Sequence, residues 1–373
     1  MAHTKKPKIA LVHDWLTNFA GAEQVLLSLM ELFPEAPIYT SIYKPEKMPA
    51  EFKTRTVYTS SLQKFSFIPH QLLFPNMAKA FEEFNFSDYD IVISSSHASS
   101  KGIITKPETL HICYCHTPTR YLWSHYFEYL NQMQFGVLNP IIRMRMPRIA
   151  HKLRIWDRLA ADRVDLWVSN SNNVKKRIKK YYKRNATIIY PPIDTNFFEL
   201  EENKKNYYIT ASRLIPYKKI ELIIETFNKL GKEIKIIGAG PKEKEFRKIA
   251  KENVKILGRV TDDELKRYYK EAKGFIFAAE EDFGIVPIEA MASGTPVIAY
   301  QKGGAIETIQ DGKTGVFFKE QTKESLIDAI NRFENASFRA KDIREYALSF
   351  NKNRFKKEFL EYVKKNYESF INE

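Results

Sequence analysis

Short apolar runs rich in β-branched residues alternate along this chain with segments whose apolar residues recur every three or four positions. The runs predict strands. In the first half these are KIALVHD (8–14), DIVISSS (90–96), HICYCHT (111–117), DLWVSNS (165–171) and TIIYPP (187–192). In the second half they are NYYITASRL (206–214), IKIIGAG (234–240), VKILGRV (254–260), GFIFAAE (274–280), TPVIAY (295–300) and TGVFF (314–318). Between them, AEQVLLSLMELF, NNVKKRIKKYY, KKIELIIETFNKL and TDDELKRYYKEA carry helix spacing. Continuous apolar strands alternating with helices imply parallel sheets covered on both faces. The pattern occurs twice, so the expected fold class is α/β, with two doubly wound Rossmann-like domains.

The boundary is expected within YPPIDTNFFELEENKKN (190–206), where paired prolines lead into a polar run. The expected division is 1–192 for the first domain and 193–349 for the second. A helical C-terminal segment, about 350–373, is expected to pack back on the first.

Composition adds a polarity to this plan. The 373 residues are 44% hydrophobic and 28% charged, as in a soluble globular chain. The net charge of +14 is uneven: residues 1–195 carry 26 Lys+Arg against 16 Asp+Glu, and the remainder 33 against 29. A basic first half points to an anionic partner. The two cysteines, Cys113 and Cys115, share a strand face at i and i+2. That spacing suits reduced core residues of a cytoplasmic protein better than a disulfide or a zinc site. The N-terminal apolar stretch is too short for a signal peptide, and no apolar run approaches the length of a membrane span.

The unusual polar residues fall where strands end and helices begin, which is where open α/β sheets bind ligands. His13, Asp14 and Gly21 follow the first strand, and His116 ends another; Arg213, Gly238, Gly240, Gly258 and Glu281 do the same in the second half. In EEDFGIVPIE, Gly284 weakens a helix and Pro287 suits a first helical position. Glu281 is thus expected on a loop and Glu289 in the first turn of a helix. Taken singly, Glu289 also reads as an acid favoured by the helix dipole, Arg213 and Lys218 as solvated charges, Gly21 as a turn residue, and His116 as a structural histidine. Several better-known signatures are missing: there is no GxGxxG, P-loop, GxSxG or HExxH.

Taken together, HDWLTNFAGAEQVL, HICYCHTPTRYLW, VSNSNNVKKRI, YPPIDTNFF, ITASRLIPYKKIELII, IIGAGP, LGRV and EEDFGIVPIEAMASGTPVIAY resemble the retaining family 4 glycosyltransferases of GT-B fold, in particular their bacterial polysaccharide mannosyltransferase-like branch. The resemblance covers nearly all of the chain. It implies two domains facing a central cleft. It implies that Glu281 and Glu289, the family's pair of acids eight apart, hold hydroxyls of the transferred sugar and of the nucleotide ribose. Arg213 and Lys218 match its diphosphate clamp, Gly21 its N-terminal glycine loop and His116 its donor-sugar histidine. The backbone of Phe283, Gly284 and Ile285 would also face the donor, and the base would lie near Val260. Two departures are Ala20 where many relatives have glycine, and Asp282 in place of a frequent glycine.

The expected reaction is sugar transfer from a nucleotide sugar, GDP-mannose, to a saccharide or lipid-linked saccharide of a surface polysaccharide, with retention and without a metal or other cofactor. A UDP-sugar is the alternative donor. His13, Asp14, Arg120 and Tyr121 are expected to face the acceptor by layout alone. Two rival readings are a glycoside hydrolase using two carboxyls and a basic nucleic-acid binder. A hydrolase needs no phosphate clamp, and no nucleic-acid recognition motif is present, so nucleic acid is not an expected partner. The basic and aromatic stretches KKRIKKYYKR (175–184), RMRMPRIAHKLR (143–154) and YLWSHYFEYL (121–130) suit either peripheral contact with an anionic membrane leaflet or a solvated surface.

Overall fold

Residues 6–124, 126–127 and 139–372 are described in the computed structural model, the side chains of 139–143 apart. His125 and residues 128–130 of the aromatic stretch, and the side chain of Arg143, lie outside the described residues. The chain divides into two units, one of residues 1–190 with 356–373, the other of residues 191–355.

The first unit is built on a seven-stranded parallel sheet, in the order β3-β2-β1-β4-β5-β6-β7. Its strands are β1 (Ile9–His13), β2 (Ile38–Thr40), β3 (Val57–Thr59), β4 (Ile91–Ser96), β5 (Leu110–Cys115), β6 (Leu166–Ser169) and β7 (Thr187–Ile188). β1, β4 and β5 are buried almost throughout, as a sheet covered on both faces requires. β2 and β3, three residues each, were not expected from sequence, and β7 is shorter than the TIIYPP run. Both cysteines are free and buried on β5. The helix Lys352–Phe370 belongs to this unit from Lys356 onward. Phe359, fully buried, lies 6.1 Å from the Tyr114 ring, and Lys356 Nζ is 3.0 Å from Glu31 Oε2.

The second unit has a six-stranded parallel sheet in the order β10-β9-β8-β11-β12-β13. Its strands are β8 (Lys205–Ala211), β9 (Ile234–Ile237), β10 (Val254–Gly258), β11 (Ala272–Phe277), β12 (Val297–Tyr300) and β13 (Gly315–Phe318). The apolar faces of the helices Ile220–Leu230 and Lys323–Glu334 close one core with it, through Ile223, Ile224, Phe227, Leu326, Ile330 and Phe333. The helix Asp262–Glu271 starts on a capping box: Thr261 Oγ1 accepts from the Glu264 amide at 3.3 Å, and the Thr261 amide donates back to Glu264 at 2.9 Å.

In each sheet the chain first builds outward to one side and then returns to the other. The reversal lies between β1 and β4 in the first unit and between β8 and β11 in the second. Loops leaving adjacent strands in opposite directions open a crevice at such a point.

Candidate functional site

In the second unit, the loop after β8 and the loop after β11 flank the reversal. Arg213 follows β8 and is exposed, and its guanidinium has no hydrogen-bond or ion-pair partner among the described residues. Lys218 closes the short 3-10 turn Pro216–Lys218, ahead of the helix Ile220–Leu230 rather than within it. Its ammonium donates to Glu281 Oε1 from the loop after β11, and both side chains are about one-sixth exposed. The ammonium also lies 5.2 Å from the Tyr217 ring centre.

Two glycine pairs set these loops. A Cβ on Gly238 would come within 1.8 Å of the Ser212 carbonyl oxygen, and one on Gly240 within 2.4 Å of that of Leu214. The bare backbone after β9 can therefore lie directly against the Arg213 loop, and the Leu214 amide donates to Ala239 at 3.1 Å. On the other side, a Cβ on Gly304 would meet Phe283 Cα at 2.3 Å. The Gly304 amide donates to the Glu281 carbonyl at 2.8 Å. The Lys302–Gly303–Gly304 turn after β12 thus holds the acidic loop in place. Sequence reading passed over Gly303 and Gly304, although a glycine pair directly after a buried strand was the available signal.

Phe283 is buried against the Phe350 ring at 5.9 Å, so the part of it that can face a ligand is its backbone. Gly284, at φ +93, caps a helix running from Ile285 to Ala292. This helix begins two residues earlier than expected. Pro287 is its third residue, where a missing N–H costs nothing because the first four amides have no intrahelical partner. Glu289 therefore sits in the second turn, not the first. It is half-buried, and its carboxyl has no hydrogen-bond partner among the described residues; burial pushes its pKa up to about 7. Val260, half-buried, lies two residues beyond the end of β10.

In the first unit the reversal gathers imidazoles. His13 ends β1 and is fully buried. Its Nδ1 lies 3.1 Å from Ser95 Oγ at the end of β4, and the same hydroxyl lies 2.8 Å from His116 Nε2. A hydroxyl has one proton to give, so Ser95 donates to one ring and accepts from the other. Glu23 completes the chain: its Oε1 is 3.4 Å from His13 Nε2, and its Oε2 accepts from the Ala20 amide at 2.9 Å. Burial opposes its charge, but the hydrogen bond and charge of His13 outweigh this and hold its pKa below the usual value. Burial drives His116 well below the ordinary histidine range, so its ring is neutral. Gly21 opens the helix Gly21–Leu32 next to this cluster.

Asp14 has a different task from the one expected. It is fully buried, and its two oxygens accept four backbone amides, from His97, Ala98, Ser99 and Ser100, at 2.6–2.9 Å. Burial raises its pKa, yet His97, His13 and the amides of His97 and Ser100 bring it below the usual aspartate value. It anchors the turn after β4. Arg120 and Tyr121 lie in the segment after β5, where the Tyr121 ring packs edge-on to Phe74 at 5.2 Å. That segment hangs on one buried acid. Asp157 accepts from Lys101 Nζ at 2.6 Å, Thr119 Oγ1 at 2.8 Å, Trp123 Nε1 at 2.7 Å and Tyr182 Oη at 2.8 Å.

The structure thus brings Lys218 and Glu281 into contact in one unit, and His13 and His116 onto one serine in the other. No hydrogen bond or ion pair among the described residues joins Arg213 to Lys218 or Glu281. Among the described residues, no group of three or more His, Cys, Asp and Glu is arranged to hold a metal ion.

Two family models match the chain. One, described as Glycosyltransferase Family 4, covers residues 19–197; the other, Glycosyl transferases group 1, covers residues 192–350. An uncharacterized glycosyltransferase of Methanocaldococcus jannaschii is 24% identical over 209 residues, 54% of this chain and 59% of that protein. A GDP-mannose-dependent alpha-(1-6)-phosphatidylinositol monomannoside mannosyltransferase of Mycobacterium tuberculosis is 28% identical over 205 residues, 46% of this chain and 53% of that protein. An O-antigen chain mannosyltransferase of Salmonella typhimurium is 29% identical over 185 residues, 44% of this chain and 52% of that protein. The chain thus spans about half the length of the curated relatives it matches. Among solved structures, Anabaena HepE in complex with UDP and glucose gives a TM-score of 0.69 at 18% identity, covering 96% of this chain and all of that one. Sucrose-phosphate synthase from Thermosynechococcus elongatus gives 0.72 at 16% identity, covering 98% of this chain and all of that one. With one model laid over each half and these folds matched end to end, the chain belongs to the family 4 glycosyltransferases of GT-B fold.

Proposed function

We propose that this protein transfers mannose from GDP-mannose, with retention of configuration, to a saccharide or lipid-linked saccharide acceptor in surface-polysaccharide assembly. The observation that carries the reading is the meeting of Lys218 and Glu281 across the β8/β11 reversal. A cation for a diphosphate and a carboxylate for sugar hydroxyls stand side by side where such a sheet binds its ligand. Mannosyltransferases among the curated relatives support the choice of sugar.

In this reading the bond between the sugar C1 and the diphosphate oxygen breaks, and the leaving oxygen takes the electron pair. The acceptor hydroxyl attacks C1 from the same face and passes its proton to that oxygen, so no enzyme base is required. Arg213 and Lys218 stabilise the charge that grows on the leaving group. Glu281 holds hydroxyls of the transferred sugar, and His116 contacts that sugar. Glu289 accepts from the ribose diol, and the amides of Phe283, Gly284 and Ile285 face the donor. The glycine loop at Gly21 admits the phosphates, and the base lies near Val260. No metal takes part, because the cations serve in its place. Arg120 and Tyr121 face the acceptor with His13 nearby, while Asp14 keeps the anchoring task described above.

Peripheral membrane contact is part of the proposal. Lys175, Lys176, Lys179, Lys180 and Lys183, on and just after the helix Asn172–Tyr182, are exposed and have no acidic partner among the described residues. They suit an anionic leaflet carrying a lipid-linked acceptor. No helix among the described residues is long and apolar enough to cross a membrane.

The test is transfer from GDP-mannose, assayed beside UDP-glucose and UDP-galactose, with the anomeric configuration of the product read by NMR. Lys218→Gln should lower kcat by about 10²–10³-fold, the usual effect of removing one such group. Turnover from UDP-sugars alone replaces the donor assignment, and an inverted product removes the same-face mechanism.

A further inference from the structure

Lys218 is already engaged before any donor arrives: its ammonium donates to Glu281, and both side chains are mostly withdrawn from water. A diphosphate entering at Lys218 must therefore displace a carboxylate. At this degree of burial that competition is felt far more strongly than between solvated ions. Resting on the donor-site reading above, we infer that Glu281 also acts as a product-expelling group, yielding Lys218 to the nucleotide sugar and reclaiming it once the sugar has gone.

The asymmetry between donor and product follows from their chemistry. A nucleotide sugar brings its own compensation, because sugar hydroxyls donate to the carboxylate that has lost its lysine. The nucleoside diphosphate left after transfer brings no such hydroxyls, and its terminal phosphate carries additional negative charge. Two anions then contend for one ammonium, and the ligand offers nothing to replace the bond that Glu281 gives up. Arg213 cannot supply this discrimination, since its exposed guanidinium has no acidic partner among the described residues. Product release limits turnover in many transferring enzymes, so a group that weakens product more than substrate raises kcat.

Titration calorimetry on the full chain tests this with GDP and GDP-mannose, and with UDP and UDP-glucose as a second pair. Glu281→Gln should tighten the nucleoside diphosphate by about tenfold and weaken its nucleotide sugar by about tenfold or more, the scale of one charged hydrogen bond. In a Lys218→Gln background the gain for the diphosphate should vanish. Glu281→Ser serves as the second variant, and melting curves confirm that each is folded. Unchanged or weakened diphosphate binding in Glu281→Gln overturns the inference while leaving the donor site intact. Failure of the wild-type protein to bind any of the four ligands overturns the donor-site reading and the inference with it.

Discussion

Lys101 and Asp157 are both almost completely buried and stand 2.6 Å apart. Their surroundings are unequal. Asp157 also accepts from Thr119, Trp123 and Tyr182, whereas among the described residues the other oxygens that Lys101 Nζ donates to are Ala98 O at 2.5 Å and Thr119 Oγ1 at 3.5 Å. Asp157→Leu strands an ammonium and removes the acceptor of three further donors. Breaking a buried pair from one side costs about 3–5 kcal/mol, and the orphaned donors place this variant at the upper end. For a unit of this size that is a fall in melting temperature of roughly 6–20 °C. Lys101→Met leaves a carboxylate that still has three donors, so it should cost less. The double variant should cost less than the sum of the two, because no charge is left without a counterpart. Urea unfolding followed by tryptophan fluorescence reads these differences directly, since Trp123 and Trp156 both touch the network. A loss below about 1 kcal/mol for Asp157→Leu, or a larger loss for Lys101→Met, would refute the reasoning.

Glu289 supplies a pH dependence. Its folded pKa of about 7 lies above the ordinary 4.5, so the folded state holds a proton that the unfolded state has released between these values. Stability from this group is thus greatest below pH 4.5 and is lost as pH rises through 7. Glu289→Gln should melt higher than the wild type at pH 8 and alike at pH 4, and equal melting at pH 8 would count against a half-buried carboxyl that lacks a hydrogen-bond partner among the described residues. Donor affinity of the wild type should weaken as pH falls through 7, a change calorimetry should not find in the variant. Gly304→Ala drives a methyl into Phe283 and should cost about 1–3 kcal/mol together with most of the turnover; a fully active, equally stable variant removes the bracing role of that turn. Ser95→Ala should lower kcat in a way that Ser95→Thr restores, whereas equal damage from both would reduce the serine to packing. EDTA should leave turnover unchanged, and complete loss would require a metal.

Both sheets were legible because their central strands are unbroken apolar runs, and burial on two faces demands that pattern. β2 and β3 escaped because three residues carry no period. Glu281, Arg213 and His116 stood out through their position after such strands, and Lys218 through the family resemblance. What they touch was not legible: Glu281 and Lys218 lie 63 residues apart, and only the sheet order makes their loops neighbours. Asp14 illustrates the opposite failure. A polar residue at a strand end reads as a ligand group, yet four backbone amides converge on it, and no side-chain pattern announces backbone donors. Glu23 and Asp157 were missed for the related reason that a lone acid inside a helix normally faces water.

The central claim is that a nucleotide sugar is held where β8 and β11 part. A thermal-shift series with GDP-mannose, GDP alone, UDP-sugars and unactivated mannose, run on the wild type and on the Arg213→Gln/Lys218→Gln variant, tests it most directly. At a hundred times its dissociation constant, a ligand confined to the folded state adds about 2.7 kcal/mol. GDP-mannose should raise the melting temperature of the wild type clearly and that of the variant little, with no response to mannose. An unresponsive wild type, or an equal rise in both proteins, would contradict the account.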